Sequence, residues 1–176
     1  MSALRHTLVL GGARSGKSRL AEQLARESGL TRVYCATATA FDDEMAMRIR
    51  RHRADRAADD WRTVEESIAL AEVIRREAAP GTVLLVDCLT LWLTNVMLGE
   101  QDVAAAQADM LAALDAASGP VILVSNEVGM GLVPETPLGR EFRDAQGRLN
   151  QAVAHLVPTV IFVAAGLPLR LKDEPA

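Results

Sequence analysis

The residues best suited to chemistry form the run GGARSGKS, Gly11 to Ser18, which satisfies the spacing GxxxxGK[ST]. Gly11 and Gly16 permit backbone angles that other residues resist, so successive amides can point inward at phosphate oxygens, with Gly12, Ala13, Arg14 and Ser15 completing the turn. Lys17 then neutralises β and γ phosphates, Ser18 offers a hydroxyl to Mg²⁺, and the helix that begins here adds the positive end of its dipole. Of nineteen basic residues only Lys17 and Lys172 are lysines, so a chain that otherwise favours arginine keeps a compact ammonium in this cradle. The pattern implies a bound nucleoside triphosphate. A second carboxylate is expected at the end of a neighbouring strand, and Asp87, which ends VLLVD, fits a magnesium or nucleotide contact. An N-cap for a helix beginning at Leu89 is a compatible role for the same residue.

His52 is the other candidate. It lies in a stretch, Asp42 to Glu66, with six arginines and eight acids, the acids first and the bases later, as suits a helix dipole. A solvated, salt-bridged helix accounts for that pattern. The flanking Arg51 and Arg53, however, favour a neutral imidazole and make a positive setting for phosphate, which suits a nucleophile toward phosphorus. His6 and His155 read as structural, His155 through its place near a helix C-terminus. Trp61 and Trp92, in helix-edge and helix contexts, read as core area.

The elements that must position these residues alternate. Apolar, β-branched runs at Thr7–Leu10, Arg32–Ala36, Thr82–Val86, Val121–Val124 and Thr159–Val163 alternate with helix-favouring stretches at Ser18–Ser28, Asp42–Arg56, Glu65–Ala78, Asp102–Ala117 and Leu138–Leu156. Near-continuous apolar strands are what a parallel sheet covered on both faces requires, so the expected fold is a three-layer α/β P-loop domain. Pro80-Gly81, Gly119-Pro120 and Pro158 stop helices just before strands, and AAGLPLRL after Val163 predicts a turn at Gly166 and an antiparallel edge strand. The span 126–137, NEVGMGLVPETP, is too long for an ordinary connection and reads as a functional or mobile loop, suited by Met130 and its flanking glycines to cover a bulky ligand.

With 176 residues, 49% apolar and 24% charged, one domain over residues 1–176 is expected. The formal net charge of −4 supplies no overall positive field for a nucleic-acid backbone. Cys35 and Cys88, both in apolar runs, read as reduced core thiols, and the N-terminal run leaves no room for a signal-peptide core or a spanning helix; a cytoplasmic protein without membrane insertion is expected.

GGARSGKS, DDEMAMRIRRHR, WRTVEE, VDCLTLWLTN and SNEVGMGLVPETPLGREFRDAQGRLNQ together resemble the adenosylcobinamide kinase/adenosylcobinamide-phosphate guanylyltransferase family almost end to end. The resemblance implies a RecA-like P-loop sheet, a homotrimer, and two reactions in cobalamin biosynthesis. Adenosylcobinamide is phosphorylated with ATP or GTP. GMP then passes from GTP to adenosylcobinamide phosphate through a guanylylated histidine, aligned with His52. Nucleotide contacts implied beyond the P-loop fall on Ala36, Thr37 and Ala38, on Arg53, Ala54, Asp55 and Arg56, and on Glu65 and Asp87. Arg51 stands where some relatives carry a second histidine. Two simpler readings remain open: a monofunctional P-loop kinase of a small alcohol, and a nucleotide-dependent binding switch.

Overall fold

Strands that are apolar at nearly every position have two faces to bury, and this chain covers both. The computed structural model describes residues 4–39 and 60–174. Its seven strands, in chain order, are β1 (Thr7–Gly11), β2 (Thr31–Ala36), β3 (Arg62–Glu65), β4 (Thr82–Asp87), β5 (Val121–Asn126), β6 (Thr159–Ala164) and β7 (Leu167–Asp173). They form one sheet in the order β3-β2-β4-β5-β1-β6-β7, parallel throughout except for the antiparallel β6–β7 pair. The described helices are α1 (Lys17–Glu27), α2 (Leu70–Glu77), α3 (Leu89–Leu98), α4 (Val103–Asp115) and α5 (Pro137–Leu156).

Alternation along the strands sorts the core into two layers. Leu8, Leu84, Val86, Val121 and Leu123 point to one face, where α2 to α5 contribute Ile74, Leu93, Leu114 and Leu149. Val9, Val83, Leu85, Ile122 and Val124 point to the other, where α1 contributes Ala21 and Ala25 and Trp61 completes the layer. Tyr34 and Trp61 meet edge to face there, ring centroids 5.9 Å apart.

The five expected strands are present, each a residue or two longer, and the antiparallel edge strand follows the turn at Ala165 and Gly166, both at positive φ. One expectation is corrected: the helix expected over Glu65–Ala78 begins only at Leu70, Glu65 ends a seventh strand, and a turn joins the two. Thr63 and Val64 are β-branched and pair with Tyr34 and Cys35 of β2. The Glu66 carboxylate then accepts the Ile68 and Ala69 amides, both at 2.9 Å, and turns the chain into α2. Trp61 accordingly precedes a strand rather than edging a helix. The helix expected over Asp42–Arg56 lies outside the described residues.

Two histidines take the structural roles expected, with one difference. His6 accepts the Val121 amide on Nδ1 at 3.1 Å, and burial holds its pKa below the ordinary value, against raising contributions from Ala117 and Asp115. At the C-terminus of α5 it is Lys172, not His155, that reaches the helix carbonyls, donating to those of Ala154 and His155 at 3.2 and 3.0 Å.

Candidate active site at the carboxyl edge of the sheet

β1 delivers its chain to the carboxyl edge of the sheet, where residues 11–18 turn it directly into α1. Gly11 is required by crowding, since a Cβ there would sit 2.5 Å from both Ser15 Oγ and the Val163 carbonyl oxygen. Gly16, at φ 99°, is the α1 N-cap and packs so close to the β6–β7 turn that a Cβ would lie 3.3 Å from Gly166 Cα. The loop is tied at three points. The Ser15 amide donates to Gly12, the Gly166 amide donates to Ser15 at 2.8 Å, and the Glu127 amide donates to Gly11 at 3.1 Å. Ala13 and Arg14 are exposed at the crest, and Arg14 adopts φ 55°. No side chain caps α1 and no acid occupies its first turn, so its opening amides and dipole are left to an anion. Lys17 folds back over the loop, donating from Nζ to the Gly12 carbonyl at 3.0 Å, and Ser18 is half-buried beside it.

Asp87 ends β4 two strands away, on the α1 side shared by Val83 and Leu85. Tyr34 donates its hydroxyl to Asp87 Oδ2 at 3.0 Å. The compatible N-cap role is not taken, because α3 is capped at Cys88 without a side-chain bond. The Asp87–Cys88 peptide is cis. Thr37, fully buried, brackets it: its hydroxyl donates to the Cys88 carbonyl at 2.7 Å and accepts the Cys88 amide at 2.8 Å. Asn95 on α3 donates to the Thr37 carbonyl at 2.8 Å. Burial pushes the Cys88 thiol up to about 11, assisted by Asp87 and opposed by the Leu91 and Thr90 amides and by Lys17.

The structure thus gathers residues 11–18, Ala36, Thr37, Ala38 and Asp87 along one edge. Glu65 stands exposed at the tip of β3, registered with Ala36. His52, Arg53, Ala54, Asp55 and Arg56 lie outside the described residues. Among the described residues no cluster of three His, Cys, Asp or Glu could cage a metal. A hydroxyl and a carboxylate at a phosphate loop instead suit a hard cation that takes its remaining ligands from phosphate and water, the habit of Mg²⁺.

Sequence reasoning passed over a polar group beneath this edge. Ser125, Gln146 and Asn150 are buried and bonded together: Ser125 donates to Asn150 Oδ1 at 2.7 Å, and Gln146 Nε2 donates to Ser125 Oγ and Asn150 Oδ1, both at 3.0 Å. Asn150 Nδ2 donates to the Asn126 carbonyl at 3.1 Å, while the Asn126 amide donates to Thr90 Oγ1 at 2.8 Å. The available signal was Gln146 and Asn150, four residues apart on the apolar stripe of a helix that packs on VILVSN.

A profile described as cobinamide kinase / cobinamide phosphate guanyltransferase matches residues 7–171. The chain belongs to this family. It is 54% identical over 170 residues to the bifunctional adenosylcobalamin biosynthesis protein CobP of Pseudomonas aeruginosa, covering 96% of this chain and 98% of that one. With the bifunctional adenosylcobalamin biosynthesis protein CobU of Escherichia coli K12 the identity is 41% over 180 residues, covering 94% and 98%. Among solved structures the fold is like that of the RadB recombinase, with TM-score 0.53, 17% identity, and coverage of 90% of this chain and 73% of that one. A Pyrococcus horikoshii OT3 protein matches with TM-score 0.58 and 11% identity over 98% and 88%. These likenesses establish the RecA-like P-loop fold. No described helix is long and apolar enough to cross a membrane.

Proposed function

We propose that this chain, a single domain over residues 1–176, phosphorylates the aminopropanol hydroxyl of adenosylcobinamide with ATP or GTP and then transfers GMP from GTP to that phosphate. The products are adenosylcobinamide-GDP and pyrophosphate. The observation that carries the reading is the phosphate cradle of residues 11–18, backed by Lys17 and facing Asp87, in a chain 54% identical to a bifunctional relative over nearly its whole length.

In the kinase step the protein positions reactants and spreads charge. Lys17 exchanges the Gly12 carbonyl for phosphate oxygens, and the loop amides and uncapped start of α1 take the rest of the negative charge. Ser18 and Asp87 would hold Mg²⁺, which when bound would supply charge neutralisation at the nucleotide phosphates. Tyr34, donating to Oδ2, keeps the Asp87 carboxylate oriented. Ala38 and Glu65 flank the nucleotide on the side of β2 and β3, with Ala36 and the fully buried Thr37 supporting them from beneath. In the transferase step the His52 imidazole attacks the α-phosphorus of GTP and pyrophosphate leaves. The corrinoid phosphate oxygen then displaces the histidine, returning the imidazole. Arg53, Ala54, Asp55 and Arg56 accompany it at the guanosine phosphate. Loop residues Met130, Leu132 and Val133, 81%, 96% and 65% exposed, offer apolar contact to the bulky corrinoid. The working assembly is a cytoplasmic homotrimer.

Incubating the protein with α-labelled GTP tests the reading: an acid-labile, base-stable protein label is expected, absent in His52→Ala. Phosphorylation of adenosylcobinamide without any such label in the wild type selects the monofunctional kinase, and absence of both products selects a nucleotide switch.

A further inference from the structure

β5 runs between the strand that launches the phosphate loop and the strand that ends in Asp87. Its last residue, Asn126, is registered with Gly11, and Val124 with Asp87. Because Ile122 and Val124 face the α1 side, alternation places Asn126 on that side too, together with Gly11 and Asp87. The Asn126 backbone is fixed at both ends, its amide by Thr90 Oγ1 and its carbonyl by Asn150, and the next amide, of Glu127, donates to Gly11. Its carboxamide, half-buried, makes no hydrogen bond to any described residue. Two buried polar side chains, Thr90 and Asn150, thus immobilise a strand tip whose own polar side chain is uncommitted. Ordinary packing gives no reason for that arrangement, since a partly buried amide gains by pairing.

We infer that the Asn126 Nδ2 donates a hydrogen bond to the terminal phosphate of the nucleoside triphosphate, so that this strand tip distinguishes triphosphate from diphosphate. The inference rests on the nucleotide-binding reading above and adds a contact that the phosphate-loop motif does not contain. Lys17 and Ser18 serve the β and γ phosphates from the loop side, and Asn126 approaches from the neighbouring strand between the loop and Asp87. An amide suits the place because it donates without adding charge and neither takes nor gives up a proton.

The test is calorimetric binding of α,β-methylene GTP and α,β-methylene GDP to the full chain without corrinoid, so that neither transfer can occur. Asn126→Ala is expected to lose about tenfold or more in triphosphate affinity, the worth of a hydrogen bond to a charged group, while diphosphate affinity changes by less than about twofold. The near-isosteric Asn126→Asp sets a carboxylate against phosphate and should lose more triphosphate affinity than the alanine variant, again sparing the diphosphate. Unchanged triphosphate affinity in both variants, or equal weakening of both ligands in both, overturns the inference. A wild type that shows the split in binding but forms no phosphorylated corrinoid leaves this contact standing and removes the kinase assignment.

Discussion

Replacing Asn150 by leucine tests whether the buried polar group under the sheet edge holds the site together. Leucine keeps the γ-branched outline of asparagine and its number of side-chain heavy atoms but is bulkier, so the change removes hydrogen bonds without opening a cavity and adds some crowding. Asn150 engages three partners: it accepts from Ser125 and Gln146 and donates to the Asn126 carbonyl. Gln146 Nε2 keeps its bond to Ser125, but the Ser125 hydroxyl and the Asn126 carbonyl both lose theirs. Each orphaned group costs about 1–3 kcal/mol. Gln146 Oε1, which has no partner among the described residues, can recover the Ser125 hydroxyl in part. The net loss is therefore about 2–4 kcal/mol, against a total of about 5–15 for a domain, so the variant still folds. In urea, with a slope of about 2 kcal/mol/M, the midpoint should fall by about 1–2 M at unchanged slope. Asn150→Asp should cost at least as much at neutral pH, because a carboxylate oxygen would then oppose the Asn126 carbonyl. A midpoint for Asn150→Leu within about 0.25 M of wild type would refute the reasoning, showing that water or neighbouring groups satisfy these atoms at no cost.

The two leading glycines should behave oppositely. Gly11→Ala drives a methyl into the Val163 carbonyl and should cost about 1–3 kcal/mol with loss of nucleotide binding, whereas Gly12→Ala, whose Cβ meets nothing within 4 Å, should stay within about 0.5 kcal/mol by thermal unfolding. Arg62 and Arg76 hold the Glu77 carboxyl well down, to about 2 from 4.5, Arg62 contributing most and burial opposing. This stabilisation is complete above the unfolded value and disappears as pH falls through the folded one, so the urea-midpoint gap between wild type and Glu77→Gln should shrink between about pH 6 and pH 3; a constant gap contradicts it. Cys35, pushed up to about 12 chiefly by burial, and Cys88, up to about 11, should both resist a thiol reagent at about pH 8 until guanidinium unfolds the chain. Labelling of either thiol in the native protein would contradict that burial.

The phosphate loop was legible because its requirements are local: glycine where backbone and turn crowd together, lysine at the first turn of the helix, strand before and helix after. The five long strands were legible because both faces are buried and no polar alternation interrupts them. β3 was not, since four residues, two exposed and two half-buried, carry almost no periodicity and owe their conformation to pairing with β2. Asn126 and its supports escaped notice for a related reason. Thr90, Ser125, Gln146 and Asn150 look like incidental polar substitutions until the sheet order places β5 between β1 and β4 and α5 beneath them. Asp87 was legible as an edge carboxylate, whereas its Tyr34 partner sits 53 positions away and reaches it only across adjacent strands.

The bracing of the cradle by the β6–β7 turn sets an order of assembly. Residues 11–18 emerge early in synthesis, but Ser15 is braced by Gly166, and Gly11 packs under Val163. A ribosome-bound chain ending before β6 carries the complete motif and lacks its buttress. The shape of the cradle is thus complete only when the last strand pair of the sheet is, so an early motif depends on late residues for its support.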